Sequence, residues 1–201
     1  TLAQVAHPGN VSSGNMESSD SQRYLLGLKL RGFGKGKWNG FGGKLEPGES
    51  AAAAATRELE EEAGVTPVDV ESMEPRGRML FAYRGSPKLM LVHHFMVKAF
   101  KGDIRFVSRR SYDCDATCEN RDNGGAEVLM ESSPEMAPEW FRRCRIPYSR
   151  MWADDELWLE QVLDGASVSG SVLFEEGGAI ILDHDLSFSW PSPVAALNSV
   201  A

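Results

Sequence analysis

The stretch Gly42-Gly43-Lys44-Leu45-Glu46-Pro47-Gly48-Glu49-Ser50, continuing through Ala51 to Thr56 into Arg57-Glu58-Leu59-Glu60-Glu61-Glu62-Ala63-Gly64-Val65, decides the fold of this chain. Ser50 is an N-cap, five alanines follow it, and Gly64 is a stop, so Ser50 to Ala63 is predicted helical. At about 100° per residue, with Glu58 at 0°, Glu61 falls at about −60° and Glu62 at about +40°. The three carboxylates share an arc of about 100°, with Leu59 at about 100° and Ala63 at about 140° on the side that can pack inward. Glu60, at about 200°, faces away. Like charges at these spacings repel, and Arg57 is the one basic side chain nearby in the helix. Crowded acids with so little compensation suit a hard divalent cation, which takes oxygen ligands and bridges carboxylates to phosphates.

A Glu-rich helix taken alone reads more readily as a solvated acidic face, and it is the context that reverses this. Gly42-Gly43 sits in a glycine-rich loop that lets backbone approach a ligand. Between Ser21 and Leu45 there are basic residues at Arg23, Lys29, Arg31, Lys35, Lys37 and Lys44 and no acid. A basic, glycine-rich loop running into an acidic helix is a phosphate-plus-metal arrangement.

The rest of the chain sets limits. With 201 residues, 42% hydrophobic and 25% charged, it has the length and composition of one globular domain. The longest apolar runs, Ala51 to Ala55 and Ala179 to Leu182, fall far short of the roughly 18–20 residues that span a bilayer. A net charge of −8 argues against a duplex nucleic acid partner. The odd set Cys114, Cys118 and Cys144 speaks against a disulfide framework and for a reducing, cytoplasmic setting, with nucleus or mitochondrion as alternatives. The chain opens Thr1-Leu2 with no basic, hydrophobic leader and reads as a fragment or a processed form.

Strands are predicted at Arg23 to Leu30, Arg78 to Tyr83, Leu89 to Phe100 and Glu139 to Arg142. Ser171 to Phe174 with Ala179 to Leu182 reads as a closing hairpin around Gly177-Gly178. Arg31 to Lys44 is expected to be loop throughout, and Asp154 to Leu163 a second helix. Polar segments at 8–22 and 108–125 are expected loops within one domain spanning 1–190, and 191–201 an expected disordered tail. Strands interleaved with two helices make a mixed α/β sandwich.

Gly43, five residues, Glu49, seven residues, then Arg57 to Val65 matches the Nudix box, G-x5-E-x7-R-E-U-x-E-E-x-G-U, at every position. Chance agreement of its fixed residues is roughly one in 10⁸ starting points. The resemblance implies an α/β/α sandwich with a mixed sheet that hydrolyses nucleoside diphosphates linked to another group, using Mg²⁺ or Mn²⁺. It implies Glu58, Glu61 and Glu62 as metal ligands, the Gly43 carbonyl near them, and Arg57 with Glu49 as a supporting ion pair. Gly32 to Lys44, with Phe33, Asn39, Phe41 and Gly42, resembles the segment before the box in oxidised purine nucleoside triphosphatases. Ile146-Pro147-Tyr148 with Met151-Trp152-Ala153-Asp154-Asp155 is similar to their I-P-[FY]…M-W-x-D-D signature. Ser133 to Trp140 matches the stretch where that group places another acidic ligand, here Glu135, and Ile181-Leu182-Asp183 also fits.

That narrower resemblance implies cleavage of 8-oxo-dGTP or 2-hydroxy-dATP to the monophosphate and pyrophosphate, clearing damaged nucleotides from the pool. Glu61 or Glu62 would be the base. Lys29 and Lys44 are candidates for phosphate or sugar contacts. Trp152 and Phe33 offer two aromatic faces between which a purine could stack, Asn39 reads a purine edge, and Phe81 and Met90 lie in the region that lines the family's pocket. Asp154 and Asp155, if both are buried, raise at least one pKa and supply a donor and an acceptor together; exposed, they are a helix cap. His93-His94 carries no assigned role. Two departures stand out: Thr1 to Ala6 is a weak version of the family's first strand, with Thr1 where a substrate-contacting threonine could fall, and Ala153 replaces a common proline. The rival readings are a Nudix hydrolase of an NDP-sugar, dinucleotide polyphosphate or capped RNA, and a non-catalytic nucleotide-binding module. A monomer acting on a small nucleotide, with no membrane partner, is the expected working form.

Overall fold

In the computed structural model, which describes residues 1–7, 22–102 and 135–191, every predicted element forms, with adjusted bounds. In chain order these are β1 (Leu2–His7), β2 (Arg23–Lys29), β3 (Trp38–Asn39), α1 (Ala51–Ala63), β4 (Thr66–Pro67), β5 (Met73–Tyr83), β6 (Leu89–Val97), β7 (Phe100–Lys101), β8 (Met136–Arg142), α2 (Asp155–Leu163), β9 (Ser167–Phe174) and β10 (Ile181–Ser189). The segments expected as loops at 8–22 and 108–125 and as a tail at 191–201 lie, apart from residues 22 and 191, outside the described residues, as do Cys114 and Cys118. Among the described residues no helix is long and apolar enough to cross a membrane.

One mixed sheet runs β10-β9-β5-β6-β1-β2-β3, with β8 also paired to β2. The β1–β6 and β5–β9 pairs are parallel and the others antiparallel. Both faces are covered. Ala3, Val5, Leu25, Phe95 and Val97 pack with Ala55, Leu59 and Ala63 of α1. Their neighbours in the same strands, Ala6, Tyr24, Leu26 and Met96, pack on the other face with Trp158, Leu159 and Val162 of α2. This period-two division is what a sheet between two helices requires. The expected α/β/α sandwich is the fold.

The weak first strand forms as Leu2–His7. It lies between β6 and β2, with Ala3 and Val5 wholly buried. Small residues suffice there because the facing side of α1 is itself built of alanines.

Several bounds differ from expectation for identifiable reasons. The glycine loop is not loop throughout, since Trp38 and Asn39 pair with Leu28 and Gly27. β6 stops at Val97, and Phe100–Lys101 pairs separately with Thr66–Pro67. β5 begins five residues early, with Pro75 paired to Phe95 and a bulge between Pro75 and Gly77. β9 and β10 extend well beyond the predicted hairpin because their polar residues stand on an edge that solvent can reach.

At that bulge Gly77 has φ 106°, and a Cβ there would lie 1.8 Å from the Val168 carbonyl oxygen on β9. Backbone on backbone cannot yield cheaply. Gly77→Ala is expected to cost on the order of 3 kcal/mol and to lower Tm by roughly 6–12 °C in a thermal melt.

Candidate active site

Helix α1 begins as predicted: Ser50 Oγ accepts from Ala53 N at 3.2 Å, and Gly64 ends it at φ 72°. The wheel then sets the exposure of each acid. Glu61, farthest from the apolar stripe, is 60% exposed, Glu58 16%, and Glu62, next to Leu59, 6%.

Each acid has its own hold. The Gly42 amide donates to Glu62 Oε2 at 3.0 Å, and Lys29 Nζ stands 3.6 Å from Glu62 Oε1. Glu58 Oε1 accepts from Arg57 Nη1 at 2.9 Å, and Arg57 Nη1 lies 3.5 Å from Glu61. Glu135, although 106 residues away in sequence, is brought to Lys29 and accepts its ammonium hydrogen bond. The structure thus gathers Lys29, Glu58, Glu62 and Glu135 at the end of β2, with Glu61 at the rim.

Arg57 fixes helix to loop as expected. Its Nε and Nη2 donate to the two Glu49 oxygens at 3.0 and 3.1 Å, and Nη2 also reaches the Lys44 carbonyl. The Glu49 hydrogen bonds, and then that to Glu58, push the guanidinium pKa up, while Arg57 pulls the Glu49 carboxyl down. Lysine offers a point charge where this site uses a planar fork. Arg57→Lys should lower kcat about tenfold and weaken activation by metal, with little change in Tm, in a titration of activity against metal concentration.

Burial, above all, lifts the Glu62 pKa from 4.5 to about 7. The Gly42 amide and Lys29 work against the rise, and Glu58 and Glu135 add to it. The Glu135 carboxyl is held low by its hydrogen bond to Lys29. As the side chains lie, among the described residues no three acids or other metal-ligating groups converge on one point. The donor chemistry still fits a hard divalent cation. All the donors are oxygen, and one of them, Glu62, is a carboxylate that burial disfavours in its charged form. Gly43 also lacks the Cβ that would come within 2.2 Å of Glu58 Oε1, so carboxylate and loop backbone can crowd together. The Gly43 carbonyl itself accepts from the Thr1 nitrogen at 2.7 Å, which puts Thr1 beside the site.

The second half lies on the α2 face. Asp154 and Asp155 are 4% and 3% exposed. Neither is an ordinary cap: Asp154 has helical backbone angles and makes no side-chain capping bond. Instead Asp154 Oδ2 accepts from Trp158 Nε1 at 2.9 Å, and Asp155 Oδ2 accepts from the Trp152 amide at 3.0 Å. Burial raises both pKa values, and the charge of Asp154 raises Asp155 further.

Phe33 and Trp152 meet, but without a gap. Their rings stack directly, with centroids 4.9 Å apart at 28°, whereas a purine between them needs about 7 Å. Phe33 is 63% exposed, so it can move without disturbing the core. Asn39 Oδ1 accepts from the Gly40 amide at 2.9 Å, a bond that does not engage its NH₂. Lys44 is exposed on the loop, and Met90 is paired across the sheet with Phe81, which is buried in the α2-side core. Phe41 is not brought to the site. It is wholly buried in the α1-side core and held there by backbone bonds with Ala3, so its ring packs against that core.

Three residues were not singled out from the sequence. Lys37 Nζ stands 5.0 Å from the centre of a Trp152 ring and donates to the Met151 carbonyl at 2.8 Å. Tyr83 meets the edge of Phe33 at 5.9 Å, and its hydroxyl pKa is pushed up to about 12 by burial and then by Asp154. Trp158 was legible in principle, since i and i+4 on a helix share a face.

A box helix bearing Glu58, Glu61 and Glu62 on one sheet face, opposite a helix opening with two buried aspartates, defines a Nudix hydrolase fold and site; the chain belongs to the NUDIX family. The NUDIX domain family matches residues 18–116. The chain is 36% identical over 186 residues to the oxidized purine nucleoside triphosphate hydrolase of Danio rerio, covering 92% of each. It is 34% identical over 160 residues to the protein of that name from Mus musculus, covering 80% of this chain and 84% of that one. Among solved structures, a mutator MutT protein from Bacillus halodurans matches with a TM-score of 0.60 at 21% identity, covering 93% of this chain and 98% of that one, a likeness of fold.

Proposed function

We propose that this chain hydrolyses purine nucleoside triphosphates with an oxidised base, such as 8-oxo-dGTP and 2-hydroxy-dATP, to the monophosphate and pyrophosphate. The observation that carries the reading is the buried Asp154–Asp155 pair beside Trp152. A site for NDP-sugars, dinucleotide polyphosphates or capped RNA has no use for a carboxyl pair that can present a donor and an acceptor to a base. The names of the Danio rerio and Mus musculus relatives support the same substrate class.

In this reading Glu58, Glu61, Glu62 and Glu135 hold a divalent cation, Mg²⁺ with Mn²⁺ as a substitute. When bound, that ion screens phosphate charge and acidifies water. Lys29 and Lys44 meet the phosphates. Water adds to one phosphorus of the α–β anhydride, the bridging oxygen leaves with the other, and a proton passes from the water to Glu62 Oε1. Glu62, buried and held by the Gly42 amide, is better fixed for that task than Glu61, which is 60% exposed.

The base is read against Trp152. Unstacking Phe33 costs about 0.5–1.5 kcal/mol, and stacking a base returns about 1–3 kcal/mol, so substrate can open the closed pair. The accompanying proposal is a monomer working in the cytoplasm. A panel of nucleoside triphosphates, NDP-sugars and dinucleotide polyphosphates with Mg²⁺, scored for pyrophosphate and for orthophosphate, tests the reading. Pyrophosphate from oxidised purine triphosphates supports it; activity confined to the other classes overturns it.

A further inference from the structure

The glycine loop touches Trp152 in three ways, and they are not equally durable. Phe33, 63% exposed at the loop's tip, stacks on the indole with centroids 4.9 Å apart. Gly34 lies so close that a Cβ on it would come within 2.9 Å of Trp152 Cζ2. Lys37 Nζ stands 5.0 Å from the centre of a Trp152 ring and donates to the Met151 carbonyl. A purine that enters the closed pair must displace Phe33; nothing requires Lys37 to move. Lys37 is also the firm end of the loop: its carbonyl accepts from the Lys29 amide at 2.9 Å, and its amide donates to the Gly34 carbonyl at 3.0 Å.

The bond from Lys37 falls on the peptide that carries Trp152. The carbonyl of that Met151–Trp152 peptide accepts from Lys37 Nζ at 2.8 Å, and its N–H donates to Asp155 Oδ2 at 3.0 Å. Bonded on both sides, the peptide plane cannot rotate without losing a partner, and the direction of the Trp152 side chain follows from it. Residue 153 is alanine, so no proline ring stiffens the turn. At the indole's Cζ3, a Cβ on Gly178 would lie 2.9 Å away, so the tip of the β9–β10 hairpin closes that side.

Resting on the base-stacking role proposed above, we infer that Lys37 is a positioning residue for base binding: it holds Trp152 in its stacking orientation while Phe33 moves aside. A cation over an aromatic face is attracted by the ring quadrupole, and the carbonyl bond keeps that cation in place. A ring already held costs less to bind against than one the ligand must order. The gain is the same in the ground state and in the transition state, so it belongs to KM and not to kcat. It is also blind to which purine is bound, since every purine presents a face. Lys37 favours charge on both Asp154 and Asp155, and its own charge would attract a phosphate. The probe therefore carries no phosphate, and the effect is read with and without Trp152.

The probe is 8-oxo-deoxyguanosine, as a competitive inhibitor of 8-oxo-dGTP hydrolysis with Mg²⁺. It is applied to wild type, Lys37→Met, Lys37→Arg, Trp152→Ala and the double variant of Lys37→Met with Trp152→Ala. Neither residue belongs to the core on either sheet face, so these proteins should fold. Lys37→Met should raise the inhibition constant about 5- to 20-fold. It should raise KM for 8-oxo-dGTP and for dGTP by a similar factor and leave kcat within about twofold. Lys37→Arg should restore the wild-type constant, because a guanidinium keeps a charge over the ring and a donor for the carbonyl. With Trp152→Ala already present, Lys37→Met should change the constant by less than about twofold. A wild-type constant for Lys37→Met, while Trp152→Ala raises it, overturns this inference and leaves stacking on Trp152 intact. So does a raised KM for the triphosphates with a wild-type constant for the nucleoside, which assigns Lys37 to the phosphates. An equal rise with and without Trp152 also overturns it, since Lys37 then acts on the base or the aspartates directly. If Trp152→Ala itself leaves the constant unchanged, the base-stacking reading falls and this inference with it.

Discussion

Glu62→Gln is expected to lower turnover at least ~100-fold, about 2.7 kcal/mol of lost transition-state stabilisation, while the protein stays folded. The amide keeps the volume and can still accept from the Gly42 amide, so the change removes a charge and a proton acceptor and little else. The same variant should be more stable than wild type in metal-free buffer at pH 8. In the folded protein the Glu62 pKa is raised from 4.5 to about 7. A raised carboxyl contributes its full stability below about pH 4, where both states are protonated, and loses it as pH rises through 7, because the folded state must then bury a charge. The loss is about 2–3 kcal/mol between pH 5 and 8. The side-chain amide that Glu62→Gln introduces does not titrate, so the variant's Tm should exceed that of wild type by roughly 4–10 °C at pH 8, with the advantage shrinking towards pH 5. Calorimetry with EDTA reads the second effect and steady-state kinetics the first. A folded variant with near-normal turnover would remove Glu62 from the metal and base roles together.

Asp154→Asn should change which purine is preferred more than it changes metal activation. The residue is buried, lies on the sheet face opposite α1, and makes its side-chain bond to Trp158. An asparagine can still accept from that indole, but it can no longer be a carboxylate towards a base. Asp155→Asn fixes a permanent donor where the pair now shares a proton. At a site built to hydrogen-bond its substrate, such mismatches cost several powers of ten at most. We expect a 10- to 100-fold change in the 8-oxo-dGTP to dGTP ratio for Asp154→Asn. Asp155→Asn should change it too, because it fixes a donor at the second position of the pair. Both variants should melt at or above the wild-type temperature, since each removes an ionisable group from a pair that burial disfavours in its charged form. Equal ratios for both variants and wild type at every pH would reduce these aspartates to packing.

The metal half of the site was legible because it is local. One helix carries Glu58, Glu61 and Glu62, and the angular order on its wheel reproduces their order of exposure. The Arg57–Glu49 fork follows from the same short segment. What was not legible depends on tertiary contact. The Lys29–Glu135 pair needs β2 and β8 side by side, and spacing alone does not give that register. Phe41 looks like a pocket aromatic in a glycine loop, but the backbone bonds between Phe41 and Ala3 draw it into the α1-side core. Lys37 and Tyr83 reach Trp152 and Phe33 from a loop and a strand end, where sequence periodicity carries no directional signal. The lengths of β9 and β10 were underread because an edge hairpin can be polar along most of its length, and hydrophobic alternation then fades.

The most direct measurement of the substrate proposal is a competition in one vessel: 8-oxo-dGTP and dGTP at equal concentration, with Mg²⁺ and wild-type protein, and both monophosphates followed in time. The ratio of initial rates is the ratio of kcat/KM. The buried Asp154–Asp155 pair beside Trp152 predicts at least a tenfold excess of 8-oxo-dGMP, with pyrophosphate released in equal amount. Equal consumption of the two nucleotides, or a preference for dGTP, would contradict it.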